Sequence, residues 1–141
     1  MKFFTRLFGK SEDQKMEEYS RKKFEELEKQ NSKVVEAASV NGKHYVNHVE
    51  TIKQLKREDR RDQAIELLLK CVNATEAESA IVDCGVAPWY YEQLAILYRK
   101  QKDYKSEVEI LERYHSQLAA AGVGKEKLAE RLIQAKALLE K

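Results

Sequence analysis

Apolar side chains recur at spacings of three and four residues along most of this chain, which is the period of helices that bury one face. The first long series lies between charged residues and comprises Met16, Tyr19, Phe24, Leu27, Val34, Val35 and Ala38. Ser11 is a suitable N-cap for it. Asn41-Gly42 provides a left-handed position at which such a helix ends. The pattern predicts a long N-terminal helix over residues 11–41.

Two further stretches have the pattern of paired helices. In residues 43–75, two apolar faces are separated by the polar run Arg57 to Asp62, which predicts a helix–turn–helix. A second pair is predicted from about residue 88 to residue 121. Between the pairs, Gly85 and Pro88 limit helix formation, and residues 73–88 are expected to form a loop that packs against the domain.

The end of the chain repeats the helical period once more. Residues 125–140 carry the stripe Leu128, Leu132, Ala135 and Leu139, which is typical of a terminal helix that caps a helical stack. With one proline and five glycines in 141 residues, the chain has few helix breakers. We therefore predict an all-α protein divided into residues 1–10, the long helix 11–41, and a domain of antiparallel helical hairpins with a capping helix over 42–141.

The first ten residues have a different character from the rest. One helical face is apolar, while Lys2, Arg6 and Lys10 are positive and no residue is negative; the apolar side chains are Phe3, Phe4, Leu7 and Phe8. Such a segment suits contact with an anionic membrane surface. The alternative is that it packs on the domain or on a partner chain.

Charge and cysteine content narrow the class of protein. The 26 basic and 24 acidic side chains give a net charge of +2, so nucleic acid is not the expected partner. Cys71 and Cys84 lie thirteen residues apart, and residues 1–10 lack the apolar core of a secretory signal. No apolar run approaches the roughly 20 residues that span a bilayer. We expect reduced thiols in a cytoplasmic protein, or one held peripherally at the inner face of the membrane.

Sequence motifs for catalysis are missing. There is no Gly-rich phosphate loop, nucleophile elbow or paired-carboxylate motif, so we expect neither an enzyme nor a cofactor. His44 and His48 are one helical turn apart, but no further ligand stands at a supporting spacing, and no metal site is predicted. Cys71 is expected in the core, and Cys84 in a loop without an activating base.

The run from Trp89 to Tyr114 carries the most specific pattern, WYYEQLAILYRKQKDYKSEVEILERY. An aromatic, a leucine, a small residue and a tyrosine are followed, after a turn, by an aspartate and an aromatic; the residues are Tyr91, Leu94, Ala95, Tyr98, Asp103 and Tyr104. This run resembles the tetratricopeptide repeat. One good repeat covers about 88–121, and a degenerate one covers about 43–75. Glu107 departs from the family, which has a small alanine there.

The resemblance implies a scaffold for protein contacts, with a concave face built from the first helix of each pair. The residues it assigns to that face are His48, Lys56, Tyr90, Gln93, Tyr98 and Lys102. The implied function is a non-catalytic adaptor that binds a protein or peptide. Two alternatives remain: a peripheral membrane protein that docks through residues 1–10, and a homodimeric or structural assembly held through residues 11–40.

Overall fold

The computed structural model describes residues 9–118 and 124–141, and these are mostly helical. Six α-helices occupy the described residues: α1 Glu12–Ala37, α2 Val49–Arg57, α3 Arg61–Val82, α4 Pro88–Lys100, α5 Tyr104–His115 and α6 Gly124–Glu140. Between α1 and α2 lie two short strands, β1 Ser39–Val40 and β2 Lys43–His44, and one 3₁₀ turn, Tyr45–His48. The predicted all-α class is confirmed.

A β-hairpin follows α1, where the sequence pattern predicted four more helical residues. Strands β1 and β2 pair antiparallel, with Val40 opposite Lys43. Asn41 and Gly42 have φ angles of 50° and 82°, as the two central residues of a type I′ hairpin turn require. The prediction of helix through residue 41 is wrong because Asn-Gly suits this turn as well as it suits the end of a helix.

Helix α3 is longer than the sequence pattern predicted. It continues to Val82 and ends with Asp83 in the left-handed region, where φ is 52°. The predicted loop over residues 73–88 is therefore wrong for its first ten residues. The segment 73–82 contains neither glycine nor proline and is rich in Ala and Glu, which favour helix. Only residues 83–87 connect α3 to α4.

The added turns of α3 contribute a contact to α5. Glu76 accepts hydrogen bonds from Arg113 Nε, at 2.9 Å to Oε1 and 2.8 Å to Oε2. Arg113 Nη2 donates to Asn73 Oδ1 at 2.8 Å. Because Glu76 is largely shielded from solvent, this ion pair is stronger than one between fully exposed side chains.

The chain divides into two compact units, one ending at Lys33 and one comprising Val34–Lys141. In the second unit, α2 packs on α3, α3 on α4, α4 on α5, and α6 on both α4 and α5. Three-residue connections join α2 to α3 and α4 to α5, so each of these pairs is antiparallel. The fully buried large side chains include Ile52, Leu68, Tyr91, Leu94, Leu111, Tyr114 and Leu128. This packing is compatible with a helical-repeat fold.

Three helices meet at one buried carboxylate. Glu107 of α5 is 0% exposed and lies between Arg99 of α4 and Arg131 of α6. Arg99 Nε donates to Glu107 Oε1 at 3.0 Å, and Arg99 Nη2 lies 2.8 Å from Oε2. Arg131 Nε lies 3.2 Å from the same Oε2. Arg99 Nη2 also donates to the backbone oxygen of Arg131 at 3.4 Å, so α4 is tied to α6 as well as to α5.

The Glu107 carboxylate partly neutralises the two guanidinium charges of Arg99 and Arg131. Burial and the nearby charge of Arg99 lower the pKa of Arg131, while Glu107 acts in the opposite direction. Guanidinium groups nevertheless stay protonated in proteins. Without Glu107, two cations would face each other in a partly desolvated space, which is strongly unfavourable.

Replacing Glu107 by alanine tests this cluster. We expect Glu107→Ala to lower the free energy of unfolding by about 3–5 kcal/mol, because it leaves two partly buried charges unpaired. Urea denaturation measures the change. The control is Glu112→Ala on the same helix, whose pair with Lys136 is half-exposed at 3.5 Å; it should cost less than about 1 kcal/mol. Equal losses in the two variants would contradict the assignment.

Gly124 allows the start of α6 to approach the start of α4. A Cβ atom at this position would lie 2.7 Å from Pro88 Cγ and 2.8 Å from Pro88 Cβ, and the proline ring is rigid. We expect Gly124→Ala to lower the free energy of unfolding by a net amount of about 1 kcal/mol, because overpacking outweighs the better helix propensity of alanine. Lys125→Ala, at an exposed position of the same turn, is the control in the urea titration; a stabilised Gly124→Ala would refute the close approach.

Candidate partner-binding face

A side-chain contact joins the first helices of the two pairs, α2 and α4. Lys56 of α2 donates a hydrogen bond to the Gln93 side-chain oxygen of α4. Ile96 and Lys100 follow Gln93 at helical spacing and continue its side of α4. We call these four residues, Lys56, Gln93, Ile96 and Lys100, the α2–α4 face. Lys100 is exposed, and the other three are partly exposed.

The α2–α4 face is positively charged. Burial and the neighbouring charge of Lys100 lower the pKa of Lys56, while Glu92 acts in the opposite direction. Glu92 itself is engaged by α6, since Lys127 Nζ lies 2.9 Å from its Oε1. Two ammonium groups therefore lie near each other on a partly desolvated surface, an arrangement that favours an anionic partner.

The six residues that the sequence assigned to the concave face fall into three groups according to their location. Lys56 and Gln93 are brought together on the α2–α4 face. Tyr98 and Lys102 lie where α4 turns into α5: Lys102 is exposed with φ 60°, and Tyr98 is partly buried. Burial and the charges of Asp103 and Glu109 raise the pKa of Tyr98. Tyr98 packs against the core, on the opposite side of α4 from Gln93, Ile96 and Lys100.

The third group, His48 and Tyr90, is buried. His48 Nε2 donates to the backbone oxygen of Val40 at 2.6 Å, which attaches the 3₁₀ turn to β1. The Tyr90 hydroxyl donates to the backbone oxygen of Tyr45 at 3.2 Å, which attaches α4 to the same turn. In this conformation both side chains support the fold from within.

The predicted membrane-contact residues, Phe3, Phe4, Leu7 and Phe8, lie outside the described residues. Within residues 9–118 and 124–141, no helix combines the length and the apolar character that crossing a bilayer requires. Docking through residues 1–10 stays a prediction from the sequence pattern.

A polar cluster that the sequence did not reveal surrounds Glu78 of α3. The Tyr45 hydroxyl donates to Glu78 Oε1 at 2.7 Å, and His44 Nε2 lies 3.3 Å from Glu78 Oε2. His44 Nδ1 accepts a hydrogen bond from the backbone of Val46, which leaves Nε2 as the protonated nitrogen facing Glu78. Cys84 Sγ lies 3.7 Å from Oε1. Glu78 thus fastens the β-hairpin and the 3₁₀ turn to α3.

This cluster is suited to holding elements together and not to nucleophilic chemistry. Burial and the charge of Glu78 raise the pKa of the Cys84 thiol, so it is protonated and weakly nucleophilic near neutral pH. His44 and His48 engage different partners, Glu78 and the backbone of Val40. The part of the chain that the structure describes has no group of three His, Cys, Asp or Glu residues placed to hold a metal ion. Cys71 is buried, as predicted.

No protein-family model, curated protein or solved structure matches this chain. A role is therefore not transferable from a relative. The contacts, charges and exposed surfaces of the described residues are what supports a functional proposal.

The Tyr45–Glu78 hydrogen bond predicts a pH dependence. Burial, with the hydrogen bond to Glu78, raises the pKa of Tyr45 to about 12, against about 10 in an unfolded chain. The folded state therefore binds more protons than the unfolded state at pH 10–12, and the stabilisation from Tyr45 is lost as pH rises through that range. We expect Tyr45→Phe to lower the free energy of unfolding by about 1–2 kcal/mol at pH 8, and by less at pH 12.

Urea titrations at pH 8, 10, 11 and 12 measure this difference. Tyr19→Phe, at a position 64% exposed, is the control and should differ little from the unmodified chain at every pH. A Tyr45→Phe difference that stays constant from pH 8 to pH 12 would contradict the role of the hydroxyl.

Proposed function

We propose that this chain is a non-catalytic cytoplasmic adaptor whose α2–α4 face binds an acidic segment of a partner protein. The observation that carries the proposal is the contact between Lys56 and Gln93, which joins the first helices of two successive pairs. A repeat scaffold presents one continuous binding surface where the first helices of successive pairs contact one another. The pairs correspond to the tetratricopeptide-like repeats over about 43–75 and 88–121.

Packing inside the second pair supports a tetratricopeptide-like scaffold. Tyr91, Leu94 and Ala95 are fully buried at the positions where that repeat pattern has its aromatic, leucine and small residue. The rings of Tyr91 and Tyr114 lie 5.1 Å apart at 59°, a favourable aromatic contact between α4 and α5. These side chains are therefore assigned to the scaffold, and recognition is assigned to the residues that remain accessible.

The chemistry of the α2–α4 face specifies the kind of partner. Lys56 and Lys100 supply two neighbouring cations, and Ile96 supplies a partly exposed apolar side chain on the same side of α4. A segment with carboxylates on either side of an apolar residue would satisfy both features. Lys102, exposed at the α4–α5 turn, would contact the continuation of such a segment, and we assign His48, Tyr90 and Tyr98 to support of the face from within the fold.

Binding of a defined peptide tests the proposal. The probes are a fluorescein-labelled peptide Glu-Glu-Leu-Glu-Glu and its lysine counterpart, Lys-Lys-Leu-Lys-Lys, with binding to the full chain followed by fluorescence anisotropy. We expect binding of the acidic probe only, and a loss of about tenfold or more when Lys56→Glu and Lys100→Glu are combined, because attraction becomes repulsion.

The matched control reverses two exposed lysines on the second helices, Lys70→Glu on α3 and Lys105→Glu on α5. It makes the same change in net charge away from the α2–α4 face and should retain most of the binding. Equal loss in both double variants would mean attraction to net charge alone, and failure of the acidic probe to bind would refute an acidic partner for this face.

A further inference from the structure

Helix α1 displays a stripe of exposed apolar side chains. None of its 26 residues, all of which are described, is buried. The large side chains Met16, Tyr19, Phe24 and Leu27 are exposed by 64%, 64%, 62% and 54%. At 3.6 residues per turn, these four fall within an arc of about 140° on one side of the helix. A stripe of this kind on a long helix is typical of a surface that packs against another helix.

Charge along α1 indicates which helix would fit. The charges fall in successive blocks: residues 12–18 hold four carboxylates and one lysine, residues 21–23 are three cations, residues 25–28 hold three carboxylates, and residues 29–33 hold two lysines. The first and third blocks are therefore acidic, and the second and fourth are basic. This order reverses its sign about a point near Lys23 and Phe24.

We propose that α1 pairs with α1 of a second copy of this chain in antiparallel orientation, centred between Lys23 and Phe24. In that arrangement the basic block 21–23 of each copy faces the acidic block 25–28 of the other. The acidic block 12–18 likewise faces the basic residues 29–33. Tyr19 of one copy comes near Leu27 of the other, which covers both apolar side chains.

The parallel, in-register alternative is disfavoured by the same charges. Each block would then face its own copy, so cations would meet cations and carboxylates would meet carboxylates. The charge order therefore selects orientation, while the apolar stripe supplies the surface that is buried.

The paired surface is modest in size. Residues 12–33 form about 33 Å of helix, and the polar residues Lys23 and Gln30 interrupt the stripe. We therefore expect a dimer with a dissociation constant in the micromolar range, weakened by added salt because the facing charges are exposed. The inference is independent of the α2–α4 face.

Charge reversal tests the pairing in the full chain by sedimentation equilibrium over a concentration series. The basic-block variant combines Arg21→Glu, Lys22→Glu and Lys23→Glu, and the acidic-block variant combines Glu25→Lys, Glu26→Lys and Glu28→Lys. Each alone brings like charges together and should weaken the dimer by about tenfold or more. A chain with both sets of changes should dimerise again, because the blocks have exchanged sign. Glu, Lys and Arg have similar helix propensities, and circular dichroism checks that each variant keeps the helix content of the unmodified chain.

Oxidative cross-linking tests the orientation, with Cys84→Ser removing the native exposed thiol. A chain with Asp13→Cys mixed with a chain with Lys33→Cys should form a heterologous disulfide, and each chain alone should not. Self-cross-linking of Asp13→Cys would indicate parallel pairing and overturn the proposal. A full chain that remains monomeric at millimolar concentration, or block variants that dimerise as well as the unmodified chain, would also overturn it.

Discussion

The arrangement of the last three helices depends on one buried carboxylate. Glu107 lies between Arg99 and Arg131, and each of the three residues comes from a different helix. Hydrophobic contact alone does not fix the rotation of a helix about its axis, because apolar side chains of similar size pack in several ways. Charge-assisted hydrogen bonds are directional, so the pairing of Glu107 with Arg99 specifies how α4 and α5 are turned toward each other. Because Gln93, Ile96 and Lys100 lie on α4, the pairing of Arg99 with Glu107 also helps to fix the position of the α2–α4 face.

The two accessible surfaces differ in how they are built. The α2–α4 face lies on a packed scaffold whose core side chains are fully buried, so the helices that carry its cations are fixed before any partner arrives. The stripe on α1 lies on a helix without buried residues. The order of charges along α1 therefore sets the orientation of a partner helix. The first surface suits recognition of a short acidic segment, and the second suits recognition of another long helix.

The sequence predicted the helices well where periodicity was uninterrupted and less well at their ends. The predicted start of the second pair near residue 88 agrees with α4, because Pro88 favours the first turn of a helix. Asn41-Gly42 was assigned to a helix end because that dipeptide suits both a helix end and a hairpin turn. The loop predicted from residue 73 is too long because Gly85 and Pro88 interrupt helix formation only near their own positions, and the helix continues to Val82.

Local sequence patterns do not predict which residues far apart in the chain contact one another. Lys56 and Gln93 were placed on one surface by resemblance to a repeat, and they do touch, although they are 37 positions apart. Glu78 and its partners His44 and Tyr45 are 34 and 33 positions apart, and no local spacing marks them as neighbours. Glu107 was noticed as a departure from the repeat pattern, but a departure alone does not identify the two arginines that compensate it.

The extended end of α3 affects how the second unit unfolds. Glu76 and Glu78 are two residues apart, which places them on nearly opposite sides of the helix. One engages Arg113 of α5, and the other engages the turn that precedes α2. Long repeat proteins gain and lose structure one repeat at a time because each repeat contacts only its neighbours. Here a single helix contacts both the turn before α2 and helix α5, so melting α3 releases both sets of contacts, and we expect these elements to unfold together.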